Sequence, residues 1–318
     1  MADFFELHYL EEILHRNDSL LDYEMLTEVS SGRLKFPVYG FSLGSNDPGA
    51  PVFGLFAGVH GIERVGSHVA LKFLDSFFYQ LSWDEQLADL LNHVKIIGIP
   101  IINPGGMYHN SRSNPNGVDL MRNAPVDTES PHFLVSGHRL GTFLPWYRGK
   151  NNLELENEAL INFVKSRASK SPFCMTLDIH SGFGSVDRLW FPFAKTRDPF
   201  PHYTLAQRFR QLLDRTHPGH VYKVEPQSHS YLTHGDSWDY LFELISRENS
   251  ETVYIPWTLE MGSWIWLKKN PRQLFSSGGI FNPILPHRYN RTIRRHRTLI
   301  DIMVRSVANY KKWSLISA

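Results

Sequence analysis

Apolar residues along this 318-residue chain follow two rhythms that alternate from one end to the other. Near the N-terminus Phe4, Leu7, Leu10 and Leu14 recur at helical spacing, which predicts an amphipathic first helix within residues 1–20. The run PVFGLFAG (51–58) is continuously apolar and bounded by Pro and Gly, which predicts a buried strand. In the stretch that follows, Val65, Val69, Phe73, Leu74 and Phe77 fall on one helical stripe. VKIIGIPII (94–102), CMTLDI (174–179) and VYIPWTLEM (253–261) predict three further buried strands. Helical patterns stand between them over 153–168 and 203–216, and a long basic helix is expected over 286–318. Such alternation predicts an α/β fold: a single domain spanning 1–318, with a mixed, mostly parallel sheet flanked by helices on both faces. Residues 104–150, rich in Asn, Pro, Gly and Ser, read as long loops, and loops of that length in a compact fold tend to carry function.

Composition narrows the classes. Hydrophobic content of 42% and charged content of 20% are those of a globular protein with a substantial core. A net charge of +1 supplies no field to gather nucleic acid, so no nucleic-acid partner is expected. No run approaches the roughly 18 apolar residues of a membrane span, so no membrane partner is expected either. The N-terminal MADFFELHYLEEILHRND lacks the basic and apolar regions of a signal peptide. Cys174 is the only cysteine, which excludes an intrachain disulfide and suits a reducing compartment; a cytoplasmic location is the expectation. No propeptide is apparent, so activity is expected without proteolytic activation.

The candidate chemistry sits at strand ends. In open parallel sheets ligands bind beyond the carboxyl ends of the strands. The run 51–58 is followed by His60 and Glu63, 94–102 leads into the polar loop, 174–179 ends at His180, and the last strand ends near Glu260. His60 and Glu63, three apart at the start of a helix, can face one point, and the helix N-terminus favours an ionised carboxylate. With His180 they would make His₂Glu, an established ligand set for a catalytic zinc with an open position. Alone, HxxE is a weak signal and far more readily a turn and a helix cap; the convergence of strand ends gives it weight.

SRSNPNGVDLMRN (111–123) makes the pattern specific. With the HxxE pair before it, His180 after it and Glu260 near the last strand, it resembles the M14-type zinc carboxypeptidases. That family carries an R-x-N-x-x-G-V-D-x-N-R-N stretch, matched here by Arg112, Asn114, Gly117, Val118, Asp119, Arg122 and Asn123. The resemblance implies a carboxypeptidase-like fold and one zinc ion held by His60, Glu63 and His180. Glu260 would be the general base and then acid, and Arg112 would stabilise the oxyanion. Arg122 with Asn123 would bind the substrate, Arg122 taking a terminal carboxylate. Asp119 would orient the first histidine. YLTHGDSWD (231–239) is a fainter match, implying that Tyr231 touches substrate and that Trp238 borders the specificity pocket.

Two departures bear on substrate. Met121 stands where the family has asparagine, and a thioether donates no hydrogen bond. Gly61 after His60 is closer to the amidase and deacylase branches. The reading is therefore a zinc-dependent hydrolase of peptide or acyl amino acid substrates, foremost a metallocarboxypeptidase. The alternatives are an aspartoacylase- or desuccinylase-like deacylase, a cell-wall peptide amidase, or a non-catalytic binding protein on the same fold. Other motifs read blandly. Ser42 in GFSLG is followed by loop residues rather than a helix, Cys174 is a buried hydrophobe, and His68 is satisfied by a partner or solvent. His229 and His234 lie in a solvated loop, and the basic run 288–297 is a solvated helix face.

Overall fold

A computed structural model describes residues 4–276 and 278–314; the last four residues of the expected C-terminal helix lie outside them. The strands are β1 (Leu21–Ser31), β2 (Leu34–Gly44), β3 (Val52–Ala57), β4 (Lys95–Ile99), β5 (Phe173–Ser181), β6 (Arg188–Phe191), β7 (Lys223–Pro226) and β8 (Val253–Met261). They form one sheet in the order β1-β2-β4-β3-β5-β8-β6-β7. Four of its seven pairings are parallel, so it is mixed, with β4, β3, β5 and β8 parallel at the centre and β6 parallel to β7 at one edge.

The helices are α1 (Phe5–Arg16), α2 (Arg64–Leu81), α3 (Glu85–Leu91), α4 (Pro104–Tyr108), α5 (Leu155–Ala168), α6 (Tyr203–Thr216), α7 (Ser237–Glu248), α8 (Trp264–Lys269), α9 (Pro286–Ala308) and α10 (Tyr310–Ser314). Every residue of β3 and β5 is buried, so helices cover both faces there: α2 packs with α9, and α5 with α7. The stripe read from the sequence is the inner face of α2, with Val65, Val69, Phe73, Leu74 and Phe77 each at most 2% exposed. Burying a side chain of that size stabilises by roughly 1.5–3 kcal/mol, and truncating Leu74 to alanine would cost about 2–5 kcal/mol.

The expected C-terminal helix is broken: α9 ends at Ala308, Asn309 caps it, and α10 follows. The β1–β2 hairpin is an addition to the sequence reading. Its two-residue turn is Gly32-Arg33, with Gly32 at φ 61°, and Ser31 pairs with Leu34. No described helix is long and apolar enough to cross a membrane. What matters for the site is direction. β3, β4, β5 and β8 run parallel to one another, so His60, Asn103, His180 and Glu260 arrive at the same edge, with His180 directly opposite Glu260 in register.

Candidate metal centre

Beyond β3 the chain turns sharply before entering α2, and Glu63 N–H donates to the His60 carbonyl at 3.0 Å. Gly61 lies against the backbone of α4, and a Cβ there would stand 2.1 Å from Gly106 C and Met107 N. Only glycine allows that approach, so its presence after His60 has a packing reason and does not point to one branch of enzymes. The turn brings His60 and Glu63 together, and β5 delivers His180. One donor atom from each lies within 4.8 Å of the others, and all three side chains are buried. His60 Nδ1 is 2.9 Å from Glu63 Oε1, and His180 Nδ1 is 3.4 Å from Glu63 Oε2. The Ser181 N–H fixes Oε2 at 2.8 Å.

Burial would raise the Glu63 pKa, but His60 and His180 hold the carboxyl well below its ordinary value. Burial would lower that of His180, but Asp178 and Glu63 hold it well above the ordinary value. Two imidazoles and a carboxylate, buried and converging, are a donor set that suits zinc.

Each histidine is gripped from behind. His60 Nε2 lies 3.1 Å from Asp119 Oδ1, and His180 Nε2 lies 2.7 Å from Asp178 Oδ2. A carboxylate on the outer nitrogen fixes which nitrogen carries the proton and turns the other toward a metal. Asp119 has other partners, since its Oδ2 accepts from Arg112 Nε at 3.0 Å and Arg122 Nη1 at 2.9 Å. Against the opposing effect of burial, those arginines and His60 keep its carboxyl well below the usual carboxylate range.

Across the cavity Glu260 Oε1 accepts from the Phe183 N–H at 2.9 Å, and Oε2 has no hydrogen-bond partner among the described residues. Burial first, then the charge of Glu63, pushes the Glu260 pKa up to about 8. The cavity is about 500 Å³ and is walled by Phe183, Trp190, Tyr231, Trp264 and Phe281, with Met121 and Arg122 also lining it.

The zinc carboxypeptidase family model matches residues 7–262, most of the chain. The chain belongs to the zinc carboxypeptidase family. Metallocarboxypeptidase A of Trichophyton rubrum is 27% identical over 214 residues, covering 61% of this chain and 49% of that protein. Human carboxypeptidase D is 29% identical over 113 residues, covering 32% of this chain and 8% of the human one. The chain thus spans half or less of these relatives' length. Thrombin-activatable fibrinolysis inhibitor shares the fold at TM-score 0.71 and 18% identity, over 98% of this chain and 76% of that one. Carboxypeptidase A from Helicoverpa armigera does so at TM-score 0.67 and 18% identity, over 96% and 72% of the respective chains.

Within the family's residue pattern, the structure gathers His60, Glu63, Arg112, Arg122, His180, Tyr231 and Glu260 around one cavity, with Asp119 just behind. Tyr231 packs edge-on against Trp190 with ring centroids 5.8 Å apart, and burial raises its hydroxyl pKa to about 12, so it stays a neutral donor.

Two expected substrate contacts lie elsewhere. Asn123 Nδ2 donates to the carbonyls of Arg148 and Asn152 at 3.0 and 3.1 Å, and its Oδ1 accepts from Glu154 N at 2.7 Å. Its amide clamps the long loop to the start of α5 and is not part of the cavity wall. Trp238, expected at the specificity pocket, is 3% exposed and packs on Phe56 with ring centroids 5.0 Å apart. Its Nε1 donates to Asp178 Oδ2 at 2.8 Å, which puts it behind His180. The cap of α7 makes it so: Asp236 Oδ1 accepts from the N–H groups of Trp238 and Asp239, both at 2.9 Å, and points the indole inward.

Asp178, Phe183, Trp190, Trp264 and Asp236 were missed by reading the sequence. For Asp178 a signal existed, since residues two apart on a strand share a face and DIH therefore presents Asp178 beside His180. His68 has a partner, Glu6 Oε1 at 3.0 Å, and His234 pairs with Asp127 at 3.0 Å.

Proposed function

We propose that this chain is a zinc-dependent metallocarboxypeptidase that removes a C-terminal residue with a bulky apolar or aromatic side chain. The observation that carries the reading is the convergence of His60, Glu63, His180, Glu260, Arg112 and Arg122 on one aromatic-walled cavity. Zinc held by His60, Glu63 and His180 would polarise a scissile carbonyl and bring the pKa of a water toward neutrality. Glu260 Oε2 would take the proton of the attacking water and pass it to the departing amine, and a carboxyl titrating near neutrality is suited to both transfers. Arg112, 27% exposed, gives N–H groups to Asp119 and Glu63 and keeps others for the oxyanion of the tetrahedral intermediate.

Arg122 donates through Nη1 to Asp119 and through Nε and Nη2 to the Val135 carbonyl at 3.2 and 3.1 Å. Three of its five N–H groups are so engaged, which leaves two for a substrate carboxylate. The side chain of the released residue would lie among Phe183, Trp190, Tyr231 and Trp264. Action in a reducing compartment such as the cytoplasm belongs to the same reading and rests on the single cysteine, buried in β5.

Met121 favours a second reading, hydrolysis of an N-acyl amino acid or an unusual peptide amide. With no amide at position 121, the grip on a terminal carboxylate would be looser than the family pattern provides. One experiment separates the two. A mixed peptide pool is incubated with zinc-loaded protein, with a chelator control, and followed by mass spectrometry. Chelator-sensitive ladders shortened from the C-terminus at bulky apolar residues are expected. Intact peptides together with cleaved N-acyl amino acids would overturn the carboxypeptidase reading in favour of the second.

A further inference from the structure

We propose that Trp238 is a positioning residue for the metal: with Asp178 it forms a relay, indole to carboxylate to imidazole, that sets how tightly His180 holds zinc. The inference rests on His60, Glu63 and His180 being the zinc site. Asp178 Oδ2 receives two donors, His180 Nε2 at 2.7 Å and Trp238 Nε1 at 2.8 Å. Asp178 is fully buried, and its Oδ1 has no partner among the described residues. Among the described residues the indole is therefore the one donor besides His180 that stabilises this carboxylate. Removing it leaves a buried acceptor with a single hydrogen bond, and buried charged groups lose stability steeply when a partner goes.

The position of the indole is over-determined. The Asp236 cap fixes its backbone, Phe56 backs its ring, and burial keeps it out of reach of substrate. A tryptophan that served only to fill space would not need its N–H on the carboxylate that holds a metal ligand.

Trp257 provides the control. It is also fully buried, on β8 three residues before Glu260, yet its Nε1 has no partner among the described residues. Trp238→Phe and Trp257→Phe each remove one indole of similar burial, but only the first breaks a hydrogen bond to Asp178.

The test uses full-length apoprotein and zinc alone, with affinity read by competition against a chromophoric chelator. Trp238→Phe is expected to bind zinc about 10-fold more weakly or worse, within the roughly 10–100-fold range of outer-sphere changes, while Trp257→Phe binds like the parent. In parent protein labelled with ¹⁵N-tryptophan, zinc is expected to shift the Trp238 indole N–H resonance, a readout that needs no variant to fold. Unchanged affinity in Trp238→Phe, equal weakening in both variants, or an unmoved indole resonance would overturn the relay. A parent protein that binds no zinc would overturn the zinc reading itself, a different outcome from failure of the relay alone.

Discussion

The two histidines of the metal centre are held by carboxylates in unlike company. Asp119, behind His60, sits on the long loop between β4 and β5 and shares its charge with Arg112 and Arg122. Asp178, behind His180, sits inside β5 and has an indole N–H instead of a cation. One side of the site is a compensated ion network borne by a loop; the other consists of carboxylates embedded in a sheet among aromatic rings. The difference shows in the acids. Asp119 is held far below the usual carboxylate range, whereas on the sheet side burial and the charge of Glu63 raise Glu260 to about 8. The loop side keeps charges ready-made to meet charge, and the sheet side keeps an acid poised to exchange a proton.

The largest test of that contrast is Glu260→Gln. The only group proposed to move a proton belongs to the sheet side, so turnover of a peptide ending in phenylalanine should fall by about 10³-fold, with zinc content by atomic emission unchanged. A smaller drop would remove Glu260 Oε2 from the proton transfer. The parent should also show an acid limb in its pH–rate profile. The base works only when ionised, so the rate falls as pH drops through its pKa. Part of the rise to about 8 comes from the charge of Glu63, which bound zinc would offset, so the midpoint should lie below 8 in the loaded enzyme. A profile flat through that range would break the assignment.

On the loop side Arg112→Ala should lower kcat by about 10²-fold, the usual cost of an oxyanion donor. It should disturb zinc affinity less than Trp238→Phe does, because Asp119 still has Arg122. The reverse order would collapse the contrast between a shared and an unshared carboxylate. The smallest effect lies outside the site, where Glu6 repeats the loop-side pattern. Burial would raise its pKa, but His68 and Arg64 at 3.0 and 2.7 Å bring it down to about 2. A depressed carboxyl contributes stability above its unfolded pKa and loses it as pH falls through its folded one. Glu6→Gln should therefore cost about 2 kcal/mol in urea unfolding at neutral pH, with the difference shrinking between about pH 4.5 and 2, and should leave kcat unchanged.

How much of this was legible depends on how far a residue's partners lie along the chain. His60 with Glu63, and Asp119 with Arg122, are three apart, and their chemistry is written in local spacing. The strands that deliver His180 and Glu260 are mostly apolar and almost wholly buried, so their burial shows without alternation. The β1–β2 hairpin was illegible for the opposite reason: β1 mixes exposed and buried positions without a clean period, so neither template picks it out. β6 and β7, four residues each, are too short for a pattern to build.

Asn123 and Trp238 failed differently. Their motif positions are right, but their side-chain partners come from residues 25 and 60 positions away, which no spacing reveals. Gly235 shows what fixes such a local path. At φ 70°, a Cβ on it would sit 1.9 Å from the Arg122 carbonyl oxygen, so the two segments touch backbone to backbone.

Asp119 also makes two binding events one system. Its carboxylate is divided between His60, proposed to hold the metal, and Arg122, proposed to meet the substrate. On the proposed reading, a substrate carboxylate that draws on Arg122 would leave more of that anion to His60 and strengthen its hold on zinc. Thermodynamic reciprocity then requires zinc to tighten the carboxylate by the same factor, so affinities for the two ligands, measured separately and together, close a cycle through one shared oxygen pair.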